Sequence, residues 1–478
     1  MIFTCKPMQR NFACLLESNA HRLREKAALV WDDGSLTWTE LDQRASGFAH
    51  VLAERGVKPG DRVALLLPNR WTFLVAFLGI LKLGATAAPL SPLHKKEELA
   101  QILGDLRPRL VIDGVDEMRV GEDVWVTPRL TSSLALIIYT SGSTGRPKGA
   151  VFSHRALTFA NRSWGESVMG LTPQDVVLGV LPFDHNYGMY VALLAPLLFG
   201  ATVASVERFT PEAVFDAIRR HRVTIFPGVA TMFRRLLNSP AFASADISSL
   251  RLTVAGAAPC PWEVLKEWHA RTGTRILRGY GMTEIPRPIS YFLDDPADFP
   301  DVVGRAIPGV KIRVVDDAGR SLPYGEVGEM WIKSPTAMDG YLDAPEETQA
   351  VSTDGWIETG DLASMSREGF IRIVGRKRER ILRGGFSVFP QEVEAVLLSH
   401  PAVAEAAVIG VPSNDLGEEV NAFVTLKPTP ETTAEELIDH CKEHLAHYKF
   451  PRRVTILDEL PKGTTGKVLK VELIKRHF

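Results

Sequence analysis

Short apolar runs alternate with amphipathic stretches through the first three hundred residues, the pattern of an α/β protein. TWTELDQRASGFAHVLAERGVKPGD predicts a helix begun at a Thr cap and ended by Gly and Pro. VALLLPN follows as a buried strand, WTFLVAFLGILKLG as a second helix and ATAAPLS as a second strand. LALIIY, from Leu134 to Tyr139, is again a strand, and it feeds a polar glycine-rich loop. VTIFPG, LTVAGAA and RILRGYG each predict a strand ending at a loop, where open α/β sheets place their ligands. The stretch from Asn186 to Val206 carries no formal charge and has about the length of a membrane span. Pro196 and Gly200 interrupt it, so it predicts a short helix followed by a buried strand. MIFTCKPMQRNFACLLES has only a scrap of apolar run before Glu17 and does not match a signal peptide.

Beyond about residue 300 the period changes. VGRAIPGVKIRVVDDAGRSLPYGEVGEMWIKS alternates apolar and polar residues between turn signals, predicting an antiparallel β unit. After GRKRERILRGG comes a tail of helix PQEVEAVLLSH, strands AEAAVIGV and VNAFVTLK, and helix TAEELIDHCKEHL. That is a small α+β domain, with the charged run Arg376 to Arg380 as its boundary.

A chain of 478 residues exceeds one ordinary core and implies two to four domains. Hydrophobic residues at 45% and charged residues at 23% are globular values. Lys plus Arg number 55 against 57 Asp plus Glu, so no global charge argues for nucleic acid or an anionic membrane. Cysteines 5, 14, 260 and 441 make no CxxC pair and no zinc spacing, and read as thiols of a cytoplasmic protein.

The segment richest in chemistry is Tyr139-Thr-Ser-Gly-Ser-Thr-Gly-Arg-Pro-Lys-Gly149. Gly142, Gly145 and Gly149 let the backbone turn tightly and present N–H groups, Ser141, Ser143 and Thr144 add hydroxyls, and Lys148 adds a positive charge. That set suits a polyphosphate. It is not the Walker pattern, because Lys148 follows Pro147 and precedes Gly149.

With this loop, Gly256-Ala-Ala-Pro259, Tyr280-Gly-Met-Thr-Glu284, Thr359-Gly-Asp361 and Leu460-Pro-Lys-Gly-Thr-Thr-Gly-Lys467 in order, nearly the whole chain resembles the adenylate-forming enzymes. These include acyl- and aryl-CoA synthetases, luciferases and peptide-synthetase adenylation domains. The resemblance implies a large α/β N-terminal domain with a β-barrel-like unit, residues 1–375, a hinge at 376–380, and a small mobile α+β C-terminal domain, residues 381–478. It assigns Thr140, Ser141, Gly142, Ser143, Thr144, Gly145 and Lys148 to the β- and γ-phosphates of ATP. Gly256, Ala257, Ala258 and Pro259 then lie along adenine, Tyr280 stacks on it beside Gly281, Thr283 meets the α-phosphate, and Glu284 holds Mg²⁺, with Thr144 as a second candidate ligand. Asp361 takes the ribose hydroxyls, with Arg376 on the same nucleotide. Lys467 bridges substrate carboxylate and α-phosphate as charge builds at phosphorus.

Pro182-Phe-Asp-His185-Asn-Tyr-Gly188 resembles the motif whose His sits beside the acyl site; amino-acid-activating members put Asp at that position, so His185 argues against an α-amino acid. Two departures stand out, Arg378 where many relatives have Asp or Lys at the pivot and Lys470 where Arg is common; Ile381 to Gly385 then runs as ILRGG. Gly384 and Gly385 resemble the pantetheine approach of CoA-using members. The implied reaction is ATP-dependent ligation of a small carboxylic acid to coenzyme A; the alternative acceptor is the phosphopantetheine of an acyl carrier protein. By family position the acyl group meets His185 to Met189, Val229 to Phe233, Ala255 to Ala258 and Glu284 to Ile289. Arg287 either faces that pocket to bind a polar or anionic group, or forms a surface or interdomain salt bridge, the commoner fate of arginine.

Overall fold

The computed structural model describes residues 11–114, 133–141 (of Ser141 the backbone alone), 147–296, 299–413, 415–428, 431–462 and 468–477. By compactness the chain divides into Met1–Lys311 with Ile332–Ile357, and Ile312–Trp331 with Glu358–Phe478. The segment 376–380 falls inside the second unit.

The first unit carries two sheets. In one, Val176–Gly179, Ile225–Gly228, Leu252–Ala255 and Ile276–Tyr280 are parallel neighbours, registered Val177↔Ile225, Gly228↔Ala255 and Ala255↔Arg278. In the other, the strand order is Gly340–Tyr341, Pro147–Ser153, Leu134–Ser141, Thr86–Pro89, Arg62–Leu65, Leu110–Ile112. Leu134–Ser141 and Pro147–Ser153 are antiparallel, with Thr140 opposite Lys148. The predicted strands and helices of this half are therefore present. Thr37 caps the helix Trp38–Glu54 through a capping box with Glu40, and Gly84 ends Trp71–Leu83 in the left-handed conformation that glycine tolerates. The uncharged stretch is one π-helical turn, Gly188–Leu194, a short helix Ala195–Leu198 and the buried strand Thr202–Ser205. No helix among the described residues is long and apolar enough to cross a membrane.

In the second unit Trp356–Met365 pairs antiparallel with Phe370–Arg376, setting Asp361 opposite Arg376. The tail follows its predicted order: Pro390–Ser399, Val403–Ser413, Gly417–Leu426 and Ala434–His444. Val393, Leu397, Val408, Val424 and Leu437 close its core.

The helix Trp71–Leu83 is buried on nearly every side, Lys82 included. Its ammonium is held 2.7 Å from Glu17 Oε1 and 2.8 Å from Asp42 Oδ1, on the two helices packed against it. Burial pushes Glu17 above the usual carboxylate range, and Lys82 opposes that shift. Lys82→Met would leave two carboxylates facing each other without a cation. We expect a loss of roughly 3–5 kcal/mol in urea unfolding, the scale of breaking a buried ion pair from one side.

Candidate functional site

The four parallel strands of the first unit end at one edge, and three of the sequence motifs leave from those ends. Pro182 to His185 follows Val176–Gly179, Gly256 to Pro259 follows Leu252–Ala255, and Gly281 to Glu284 follows Ile276–Tyr280. Close approach explains the glycines. A Cβ on Gly256 would sit 2.6 Å from the ring of Tyr187, and one on Gly281 would sit 2.7 Å from the backbone nitrogen of Arg287. Ala257 holds φ +65°, a left-handed position that an L residue adopts at a cost, and Ala257, Ala258 and Pro259 are exposed. Asn186 Nδ2 donates to Met282 O at 3.1 Å, tying the His185 segment to the Glu284 segment.

Glu284 is half-buried, and its Oε1 accepts a 2.7 Å hydrogen bond from the Tyr341 hydroxyl. Burial first, then the Glu284 charge, raise the Tyr341 phenol, so it stays a donor. Lys148 Nζ lies 5.2 Å from the centre of the same ring and 3.5 Å from Glu347 Oε2. Tyr341 thus joins the base of the glycine-rich hairpin to the YGMTE loop. No motif along the chain includes Tyr341 or Glu347. The relevant signal is a lone Gly-Tyr pair far from both partners, brought there by strand pairing of Tyr341 with Ala150.

His185 is half-buried, and its Nδ1 accepts from the backbone N–H of Tyr187 at 3.2 Å. Of the expected acyl-lining segment Val229 to Phe233, the last residue is placed elsewhere. Phe233 is fully buried with ring centres 5.0 Å from both Phe226 and Trp268, so it builds the core beneath the strands. Arg287 is buried too, which removes the surface salt bridge from its two readings.

In the second unit Asp361 is buried, with Oδ1 2.8 Å from Arg376 Nε. Its N–H donates to Thr359 Oγ1 at 3.1 Å, and that hydroxyl donates to Met330 O at 2.6 Å. Arg378 is exposed on the short turn Lys377–Glu379, while Lys377 is anchored to Glu329 at 2.9 Å. Gly384 and Gly385, at φ +57° and +83°, make the two-residue tip of the hairpin Ile381–Arg383/Phe386–Val388, where a left-handed pair is required. Lys470 lies 2.7 Å from Glu394 and 3.1 Å from Glu379. Burial opposes its charge, but the two carboxylates outweigh it and raise the ammonium. The helix that begins at Lys470 is therefore pinned to the turn bearing Arg378. Gly142, Ser143, Thr144, Gly145 and Lys467 lie outside the described residues, as does the side chain of Ser141.

The family model described as AMP-binding enzyme matches residues 16–342, and the AMP-binding enzyme C-terminal domain matches 392–467. The chain is 31% identical to a long-chain-fatty-acid–CoA ligase of Yersinia pestis, covering 96% of this chain and 93% of that one. It is 32% identical to a medium-chain fatty-acid–CoA ligase of Escherichia coli, covering 96% and 89%. The ATP-bound MatB structure from Rhodopseudomonas palustris superposes with a TM-score of 0.92 at 32% identity, over 98% of this chain and 99% of that one.

Tyr341→Phe removes one hydrogen bond to a charged carboxylate and little else. We expect kcat/KM for ATP-dependent pyrophosphate release to fall about tenfold, with a melting temperature close to that of the parent. An unchanged rate would show that Glu284 needs no such support.

Proposed function

The chain belongs to the AMP-binding enzyme family, and from that membership and the site geometry we infer its reaction, that of an AMP-forming carboxylate–CoA ligase. The observation that carries this reading is the linkage of Lys148, Tyr341 and Glu284 beside the adjacent ends of the strands bearing Gly256 and Tyr280.

A carboxylate oxygen attacks the α-phosphorus of ATP, and the bond to pyrophosphate breaks. The sulfur of a thiol then attacks the carbonyl carbon of the acyl-adenylate, AMP leaves, and the thiol proton passes to solvent. Tyr280 offers an aromatic face to the purine, Thr283 a hydroxyl to the α-phosphate, and Asp361 acceptors to the ribose, with Arg376 fixing that carboxylate. Lys148 and the hydroxyls of Thr140 to Thr144 bind the departing phosphates. His185 borders the acyl group. Mg²⁺ fits the donor set: Glu284 is a half-buried carboxylate with a hydroxyl on one oxygen, a hard ligand of the kind magnesium takes. When bound, the ion neutralises phosphate charge. Gly384 and Gly385 offer a small-residue path for pantetheine. The names of the matched relatives favour free CoA over a carrier protein as acceptor. Four scattered cysteines without a CxxC pair fit a reducing, cytoplasmic setting.

Lys467 acts in the first half-reaction alone. Lys467→Ala should lose acyl-AMP synthesis by about 10²-fold or more, and should largely spare thioester formation from preformed acyl-adenylate. Equal losses would end that division of labour. Arg378 is the pivot on which the C-terminal domain turns between half-reactions, at an element end suited to absorb the change. Proline there fixes φ near about −65°. Arg378→Pro should form adenylate at a near-normal rate and transfer it slowly, so acyl-AMP accumulates in single turnovers; matched losses in both steps would reject the hinge.

A further inference from the structure

Arg287 is a buried cation with no carboxylate partner among the described residues. Only 6% of it is exposed, and it forms no ion pair among the described residues. Its Cζ lies 4.4 Å from the ring centres of both Trp164 and Tyr187. Nη2 donates to Tyr187 O at 3.1 Å, and Trp164 Nε1 donates to Arg287 O at 3.1 Å. Those contacts hold the side chain and its backbone, which sits in the left-handed region at φ +49°. They leave Nε and Nη1 without acceptors, and the hydroxyl of Tyr190, 2% exposed, is also unpartnered. Burial pushes the guanidinium down to about 9, with the hydroxyls of Tyr187 and Tyr190 opposing the shift.

A buried donor with no acceptor is costly, and a buried charge with no counter-charge more so. Lys82 and Arg383, also buried, meet that cost with carboxylates, Glu17 and Asp42 for the first and Glu419 for the second, and Arg278 meets it with the carbonyls of Phe299 and Pro300 on two of its nitrogens. A purely structural Arg287 would bridge Trp164 and Tyr187 O, but that task uses one of five N–H groups. Placement adds a second observation. The Arg287 backbone packs on Gly281, three residues follow Glu284 to reach it, and Tyr187, which carries the guanidinium, also covers Gly256. The unmatched donors therefore lie among the loops that handle the acyl-adenylate. Tyr187 is itself held in place, its hydroxyl donating to Val254 O at 3.0 Å.

We propose that Arg287, aided by the Tyr190 hydroxyl, binds an anionic group at the far end of the acid, so that the substrate is a compact acid with a second carboxylate. The inference rests on the ligase reading and names its substrate class. Aromatic faces above the guanidinium keep water from the ion pair and orient the donors.

The test is pyrophosphate release by the full chain with ATP and CoA, over matched straight-chain monocarboxylates and dicarboxylates of increasing length. Wild type should favour the dicarboxylate at its best length by about 10²-fold in kcat/KM. Arg287→Met should remove that preference or invert it, and Arg287→Lys should keep part of it. Because the readout is a ratio within one protein, a general loss of activity does not imitate it. The wild-type ratio decides the matter by itself should Arg287→Met fail to fold. A wild-type preference for monocarboxylates, or a ratio unchanged in Arg287→Met, overturns the inference and leaves the ligase reading standing. No pyrophosphate with any acid overturns both.

Discussion

The site depends first on the parallel pairing of Ile225–Gly228, Leu252–Ala255 and Ile276–Tyr280. In a parallel ladder the backbone groups are satisfied sideways, and each crossover must return to the start of the next strand. All the strands then end at one edge, with backbone N–H groups and short loops left to bind. Residues separated by tens of positions are collected there by register alone. The core beneath, where Phe226, Phe233 and Trp268 interlock, keeps that register from slipping.

Around this edge, charge is held by partners that leave it usable. Glu284 has a neutral donor on one oxygen, which orients the carboxylate without cancelling its charge. Lys148 rests near a ring face and a half-exposed Glu347, at 3.5 Å, a contact that water already weakens. Within the second unit the opposite choice is made at Lys470. Two carboxylates fix it, so the start of the last helix has one position relative to the turn at Lys377–Glu379.

Lys82 and Arg287 show the same contrast inside the first unit. Both are buried cations, yet Lys82, on a helix, has two carboxylates within 2.8 Å while Arg287, on a loop, has a carbonyl and two aromatic faces. The first is internally balanced and supports the fold. The second is balanced only in part, and it lies against the loops bearing Gly256 and Gly281.

The sequence by itself determined the α/β class, the order of elements and the motif loops, because these are written in local signals. Hydrophobic period, a Thr cap at Thr37, glycine stops such as Gly84 and the clustered hydroxyls after Tyr139 act over a few residues and need no partner. Tertiary structure alone decided which side chains meet. Tyr341 reaches Glu284 across 57 positions through strand pairing, and Phe233 turns into the core although family position placed it near the acyl site. Arg287 is the sharpest case: its residue type favours solvent, and only the packing of Trp164 and Tyr187 around it buries the charge. Contacts of this kind depend on register and on the facing of distant elements, which no local window of sequence contains.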